Sequence, residues 1–258
     1  MRLEHSSWAQ VREYFAKNDT VVIPVGSTEN HGSHLGMGTD FIVPNHLLDL
    51  IGAHTEVLSI PALPFGMADH HMGFDGTLSI GLDGLHMVLS RIVGQLYRYG
   101  ARRFIFLNGH GGNDPAINRV GLEIAEMGGL SAILDWWVIA GQLNPKWKGG
   151  HGGAEETSAM LAINPQYVHM DYAKAFQPKD LSEEMTFAGG SAVNFQGVKV
   201  TVPRTVGNFS EAGWYGDDDI QTATAEWGEE MLSETARFCA DFIDAFSRVS
   251  LPGEKAEQ

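Results

Sequence analysis

The chain has 258 residues, of which 43% are hydrophobic and 19% charged, and its formal net charge is −15. This composition excludes a wholly disordered or fibrous chain. An acidic surface repels phosphates and anionic lipid headgroups, so we expect neither nucleic acid nor a membrane as the main partner, whereas metal cations are favoured.

Short apolar runs rich in valine, isoleucine and phenylalanine predict buried parallel strands. They lie at residues 20–25, 57–61, 103–107 and 130–134. Apolar residues at three-and-four spacing predict helices between and after these strands, at residues 41–51, 85–99, 114–127 and 220–246. The alternation of strand and helix predicts an α/β fold with a mostly parallel sheet, in a single domain that spans residues 1–258.

Two stretches depart from this pattern. Residues 179–215 are rich in glycine and predict loops with one or two strands, suited to a sheet edge, a lid or a contact between subunits. Residues 252–258 form a polar tail. The only cysteine, Cys239, excludes an internal disulfide and a cysteine-based zinc site. Because the chain also lacks a signal-peptide pattern and any run of 18 apolar residues, we expect a cytoplasmic protein.

The first chemical motif follows the first predicted strand. Glu29 and His31 are two residues apart, so on an extended segment both side chains point to one face. Asp40 comes after a glycine-containing loop that can fold back on them. Two carboxylates and an imidazole suit Zn²⁺, Mn²⁺ or Fe²⁺, although the first two residues alone could equally be solvated loop residues.

The second motif follows the third predicted strand and places His110 among glycines. The glycines allow a sharp turn that brings the histidine to the carboxyl edge of the sheet. The alternative is a tight turn with Asn113 as the N-cap of the next helix. The His-Gly-Gly sequence also resembles the oxyanion loop of α/β-hydrolases, but the chain has no Gly-x-Ser-x-Gly nucleophile elbow.

The third motif combines His151, flanked by glycines, with a helix that begins near Ala154. Glu155 and Glu156 lie in the first helical turn, where the helix dipole favours carboxylates. Since they point in different directions, we expect at most one of them to face a shared site. An acidic helix start beside a flexible loop is the alternative.

Together the three motifs resemble the creatininase family of metal-dependent amidohydrolases. The pattern is Pro-Val-Gly-Ser-x-Glu-x-His-Gly-x-His-Leu-x-x-x-Thr-Asp, then Asn-Gly-His-Gly-Gly-Asn, then His-x-Gly-x-x-Glu-Thr-Ser-x-Met-Leu. The likeness spans residues 20–165 and implies a three-layer sandwich with a central, mostly parallel sheet flanked by helices. It also implies two divalent metal ions per subunit, zinc, manganese or iron.

The resemblance implies a ligand set for each ion. One ion would be held by Glu29, Asp40 and His110, and the other by His31, Asp40 and Glu156, with Asp40 bridging. His151 matches the loop histidine of the family, which would stabilise the tetrahedral intermediate or pass a proton to the leaving nitrogen.

Four residues are candidates for substrate contact: Trp137, Trp147, Gly111 and His70. Trp137 and Trp147 match the tryptophans that flank the substrate of creatininase proper, although burial would also explain them. Gly111 and Gly112 replace the Tyr-Glu pair that creatininase proper carries there, which argues against creatinine as the substrate and leaves the general base undefined. His70 could contact the substrate. Alternatively, His70 and His71 could only form hydrogen bonds that stabilise a loop.

The resemblance implies hydrolysis of a non-peptide C–N bond in a small cyclic amide or formamide, by a hydroxide that bridges the two metals. Deformylation of a formylaminopyrimidine nucleotide and hydrolysis of a small peptide are alternatives within the family. A metal-bound protein without catalytic activity is an alternative of another class. The resemblance further implies a homo-oligomer, commonly a hexamer.

Overall fold

A parallel sheet of four strands forms the centre of the computed structural model, in which residues 1–253 are described. The strands are β1 (Thr20–Val25), β2 (Leu58–Ser59), β3 (Arg103–Asn108) and β4 (Leu130–Asp135). Their order across the sheet is β2-β1-β3-β4, and every pairing is parallel. A parallel sheet needs a crossover between successive strands, and helices provide it here.

Seven α-helices surround the sheet in residues 1–253. They are α1 (Trp8–Phe15), α2 (Thr39–Ile51), α3 (Gly81–Tyr99), α4 (Asp114–Glu126), α5 (Trp136–Leu143), α6 (Ala154–Ile163) and α7 (Ala225–Ser247). The helix expected near Ala154 is confirmed, whereas α1 and α5 were not predicted. Both have only eight residues, too few to show a clear period.

Alternate residues of the central strands pack into two separate apolar cores. Val22 and Ile105 join the helices α2, α5, α6 and α7 on one face. Val21 and Phe104 join α3 and α4 on the other face. Because side chains alternate along a strand, each buried strand supplies both cores. The chain is therefore an α/β sandwich of three layers, and the predicted fold class is confirmed.

The strand register brings three strand ends to one edge. Val25, the last residue of β1, pairs with Asn108, and Asn108 pairs with Asp135, the last residue of β4. The segments that follow these strands therefore leave the sheet side by side. This is the edge at which open α/β sheets place their ligands.

The element boundaries differ from the predictions in two places that matter. β2 keeps two residues of the predicted five, because only Leu58 and Ser59 pair with β1. The last helix begins at Ala225 instead of residue 220, since the Thr224 side chain accepts a hydrogen bond from the Trp227 amide and caps it.

The glycine-rich stretch at residues 179–215 contains three short strands instead of the one or two predicted. They are β5 (Met185–Phe187), β6 (Ala192–Phe195) and β7 (Val198–Thr201), which form a separate antiparallel sheet. The polar tail predicted at residues 252–258 lies mostly outside the described residues. Over residues 1–253, none of the helices has the length and hydropathy needed to cross a bilayer.

Candidate metal centre

The three sequence motifs meet at the carboxyl edge of the sheet. Glu29 and His31 follow β1, and His110 follows β3. Asp40 lies in the first turn of α2, and Glu156 lies in the first turn of α6. All five side chains are buried.

The donor atoms of these side chains form two compact groups. Glu29, Asp40 and His110 offer one atom each within 4.8 Å of one another, and so do His31, Asp40 and Glu156. Both groups contain Asp40. A third combination within the same limit consists of Glu29, His31 and His151. The first two groups coincide with the ligand sets that the sequence pattern implies.

Each histidine of the two groups is oriented by a backbone carbonyl. The Nδ1–H of His31 donates to the Glu29 carbonyl at 3.1 Å, and its Nε2 lies 2.8 Å from Asp40 Oδ1. The Nε2–H of His110 donates to the Met67 carbonyl at 2.9 Å, and its Nδ1 lies 3.1 Å from Glu29 Oε1. In the neutral ring, the nitrogen that faces the carboxylates therefore carries the lone pair, as a metal ligand requires.

Three carboxylate oxygen atoms of the site have no hydrogen-bond donor in the described part of the chain. Neither oxygen of Glu29 accepts a hydrogen bond within residues 1–253, and Oδ2 of Asp40 also lacks one, although all three atoms are sealed from solvent. Buried carboxylate oxygens without donors are strongly destabilising unless a cation compensates them. Three carboxylates with two aimed imidazoles are a donor set that fits divalent metal ions.

The acid–base properties of the metal-free site agree with this reading. Burial alone would lower the pKa of His31, but the carboxylates of Asp40 and Glu156 outweigh it and raise the pKa to about 10. Burial would raise the pKa of Asp40, yet the charges of His31 and His110 hold it well below its usual range. Burial raises the pKa of Glu156 to about 7. Positive charge on the histidines thus balances the carboxylates, and bound divalent cations would do the same.

Two glycines make the close packing at His110 possible. A Cβ atom at Gly109 would overlap the backbone carbonyl of Asp40, so only glycine lets the start of α2 approach the end of β3. A Cβ atom at Gly112 would overlap both His110 Nε2 and the Met67 carbonyl, the two partners of one hydrogen bond. The second motif therefore needs its glycines to position the histidine.

Asn113 does not have the capping role considered for it. Its side chain makes no capping hydrogen bond to α4. Instead, its amide group donates to the Gly26 carbonyl at 3.2 Å and its oxygen accepts from the Met67 amide at 3.0 Å. It thereby ties the end of β1 to the residue that orients His110.

A cavity of about 320 Å³ opens onto the metal-ligand groups. Asp40, His110, Glu156 and His151 contribute to its lining. Three of the predicted substrate-contact residues, Trp137, Gly111 and His70, are also in its wall. A Cβ atom at Gly111 would lie in ordinary contact, 3.7 Å from the Trp137 ring. The His70 ring stacks on His110 with centroids 5.6 Å apart.

The fourth predicted substrate-contact residue, Trp147, lies elsewhere. It is 6% exposed and belongs to the apolar core that α5 and α7 share. It ends the short 3-10 turn Pro145–Trp147, which follows α5 directly and directs the ring inward. The structure therefore does not bring Trp147 to the cavity, in contrast to the sequence-based expectation.

Of the two acidic residues at the start of α6, only Glu156 belongs to a donor group, in agreement with the expectation that at most one would face the site, although both border the cavity. Glu156 joins the donor atoms, whereas Glu155 Oε2 accepts a hydrogen bond from the Gly149 amide at 2.9 Å. This hydrogen bond ties the loop before α6 to the first turn of the helix.

His151 sits above the donor groups with a defined tautomer. Its Nε2–H donates to the Asn30 carbonyl at 2.7 Å, and its Nδ1 lies 3.9 Å from Glu29 Oε1. Burial lowers the pKa of His151 well below its usual value, and the charge of His31 adds to this effect. The ring is therefore neutral at physiological pH, with a free lone pair on the nitrogen that faces the site.

A segment far away in sequence holds the loop that carries His151. The Tyr215 amide donates to the His151 carbonyl at 2.9 Å. The two carboxylate oxygens of Asp218 accept from the amides of Gly150 and Ala154. The Tyr215 ring stacks on His151 with centroids 5.1 Å apart. Sequence reasoning missed both residues, because no spacing links them to residues 149–154.

His71, the neighbour of His70 in sequence, also enters the site. His71 is 1% exposed, its Nε2 lies 3.3 Å from Glu29 Oε1, and its ring packs on His151 with centroids 4.4 Å apart. The sequence offered a signal for this residue in the His70-His71 pair, but it could not show which ring points inward.

Comparison with known proteins agrees with this geometry. The creatininase family model, described as creatinine amidohydrolase, matches residues 4–243. The chain belongs to the creatininase family. The family's chemistry confirms the predicted enzyme class, a metal-dependent hydrolase that acts on amide C–N bonds.

Individual creatininase relatives differ in what they act on. The chain is 36% identical over 236 residues to the mycofactocin precursor peptide peptidase of Mycobacterium tuberculosis, covering 85% of this chain and 82% of that protein. It is 27% identical over 260 residues to the creatinine amidohydrolase of Pseudomonas putida, covering 92% and 94%. A solved structure named "Creatininase Mn" is 25% identical, with a TM-score of 0.76 and coverage of 96% and 99%.

Proposed function

We propose that this creatininase-family hydrolase holds two divalent metal ions and cleaves the C–N bond of a small non-peptide amide, either a cyclic amide or a formamide. The observation that carries the proposal is the pair of donor groups that share Asp40. Glu29, Asp40 and His110 would hold one ion, and His31, Asp40 and Glu156 the other. The bound ions would lower the pKa of a water between them and polarise the amide carbonyl.

His151 is the best candidate for moving the proton during the reaction. Its tautomer leaves Nδ1 without a proton and directed at the carboxylate groups. Nδ1 can therefore accept a proton as water attacks the amide carbon, and it can then donate that proton to the departing nitrogen. Gly112 has no side chain, so it cannot act as a base.

The cavity favours a small substrate with a flat group. Its volume is about 320 Å³, and the planar side chains of Trp137, His70 and Tyr215 contribute to its wall. Gly111 adds no side chain beside Trp137 and leaves that ring accessible to a substrate. Carboxylates and imidazoles suit zinc, manganese and iron alike.

One observation favours a second candidate, hydrolysis of a short peptide. A further cavity of about 380 Å³ shares Gly149, Gly150 and Tyr215 with the first, so an elongated substrate could extend from one into the other. The 36% identity to a peptide peptidase points in the same direction.

The test begins with the metal content of the purified protein after incubation with zinc, manganese or iron, measured by elemental analysis. The Asp40→Ala variant removes the shared ligand. Asp49→Ala is its matched control, because Asp49 lies on the same helix with its side chain 64% exposed. Each protein is then assayed for amine release from creatinine, other cyclic amides, N-formyl amines and short peptides.

We expect about two ions per chain in the wild type and in Asp49→Ala, and fewer than 0.2 in Asp40→Ala, with turnover lost in parallel. Less than one ion per wild-type chain after loading with every metal would contradict the proposal. Two ions without turnover of any amide would instead support a metal-bound protein without catalytic activity. Cleavage restricted to peptides would favour the second candidate.

A further inference from the structure

Tyr215 is a residue of the cavity wall to which the proposed mechanism assigns no role. Its ring is held on two sides, since it stacks on His151 and packs edge-to-face on Phe209 with centroids 5.2 Å apart. Its backbone amide donates to the His151 carbonyl. The side chain is thus fixed in one place at the border between the metal-facing cavity and its neighbour.

The hydroxyl of Tyr215 makes no hydrogen bond among residues 1–253, and because the side chain is only half-buried, it stays accessible in the cavity wall. Other inward-facing tyrosines of the chain do have one. Tyr14 donates to the Thr20 carbonyl at 2.7 Å, and Tyr97 donates to the Met127 carbonyl at 2.6 Å. The hydroxyl of Tyr215 is therefore free to bind a molecule that enters the cavity.

The surroundings define the chemistry of that molecule. The carboxylates of Glu155 and Glu156 line the same cavity. They are hydrogen-bond acceptors, so they are not suited to bind an oxygen atom of the ligand. Burial raises the pKa of Tyr215 above its usual range, and the charges of Glu29, Glu156 and Asp40 add to this effect. The hydroxyl consequently keeps its proton and acts as a donor. Gly111 and Gly112 offer no side-chain donor on their part of the wall.

We propose that Tyr215 is a catalytic residue whose hydroxyl donates a hydrogen bond to the substrate carbonyl oxygen as this oxygen gains negative charge. The assignment deepens the proposed function and depends on it for the identity of the substrate. A donor fixed in advance is most useful at the atom where charge develops, because it need not reorganise during the reaction. A phenol that keeps its proton suits this oxygen better than the leaving nitrogen, which has to receive one.

The deciding variant is Tyr215→Phe, which removes the hydroxyl and keeps the ring on His151. Tyr172→Phe is the matched control, because Tyr172 is 70% exposed. Inorganic phosphate serves as a tetrahedral oxyanion probe, and its Kd for the metal-loaded proteins is measured by calorimetry. Metal content is measured alongside, and kcat and KM are determined for any amide that the wild type cleaves.

We expect Tyr215→Phe to keep its metal, to bind phosphate about tenfold more weakly, and to lose about 10²-fold in kcat with KM changed less than threefold. Phosphate affinity within twofold of the wild type would overturn the assignment, whether or not an amide is cleaved. A Tyr215→Ala variant that loses activity beside a fully active Tyr215→Phe would show that only the ring matters, which also overturns it. If the wild type cleaves no amide, the proposed function fails, and the phosphate comparison still decides the role of the hydroxyl.

Discussion

The site is built from two regions that are held in different ways. The sheet-edge region, formed by Glu29, His31, Asp40 and His110, follows buried strands or begins a buried helix. The loop region, residues 149–154, is held by hydrogen bonds with Tyr215 and Asp218. Packing therefore fixes these four donor residues, whereas polar contacts fix His151. Changes in the first region should affect metal binding, and changes in the second should mainly affect turnover.

The largest effect that separates the two regions is expected for His151→Ala. Loss of a group that accepts and donates a proton lowers kcat by about 10²- to 10⁴-fold. The metal content should stay near that of the wild type, because His151 is in neither of the two donor groups that have Asp40 in common. The exposed residue His54 provides the control, as His54→Ala. Loss of metal in His151→Ala would instead make it a ligand, through the third donor combination with Glu29 and His31.

A pair of neighbouring glycines tests the packing of the sheet-edge region. Gly112→Ala forces a methyl group between His110 and the Met67 carbonyl, so we expect destabilisation of about 1–3 kcal/mol and metal binding weakened about 10- to 100-fold. Gly111→Ala should change the free energy of unfolding by less than about 0.5 kcal/mol, because its methyl group meets only ordinary contacts. Urea unfolding and competition with a chelator measure both quantities. Equal behaviour of the two variants would refute this account of Gly112.

A pair of neighbouring aspartates tests the loop region. Asp218→Ala removes two hydrogen bonds to the loop, so we expect a loss of about 2 kcal/mol in the free energy of unfolding and a fall of about tenfold in kcat. Asp217→Ala is the control, because Asp217 is exposed beside it. Hydrogen exchange of the Gly150 and Ala154 amides should accelerate only in Asp218→Ala. Loss of metal as the first effect of this variant would show that the two regions are not independent.

The smallest expected effect is a pH dependence confined to the metal-free protein. The pKa of His31 is about 10 in the folded protein and 6.5 ordinarily, so its protonation stabilises the fold fully below pH 6.5. This contribution is lost as the pH rises through 10. The Tm of the metal-free protein should therefore fall by a few degrees between pH 7 and pH 9, and that of the metal-loaded protein should stay level. A parallel slope in both forms would contradict this.

The sequence could predict the sheet-edge region because its signals are local. Glu29 and His31 share a face of an extended segment, and His110 follows a recognisable apolar strand. The two donor groups in the structure match the sets that the sequence resemblance implied. The fold class could be predicted for the same reason, since buried parallel strands and amphipathic helices carry their own periods.

The loop region could not be predicted in the same way. Trp147 has the spacing from His151 that the family pattern has, but its ring packs in the apolar core. The sequence could not predict this direction, because a 3-10 turn of three residues has no periodic signal. Tyr215 is the last residue of the glycine-rich stretch at 179–215 and Asp218 lies outside it, so no motif pointed to either residue. Their roles depend on contacts across more than 60 residues of chain.

The sequence by itself determined the layered α/β fold, the order of its strands along the chain and the residue types that suit a divalent metal centre. Only the tertiary structure decided which of several histidines and acids face one another, and which tyrosine and aspartate hold the loop that carries His151. The physical reason is that periodicity and local spacing fix the direction of a side chain relative to its own strand or helix. The distance between two such elements is set by the packing of the whole chain.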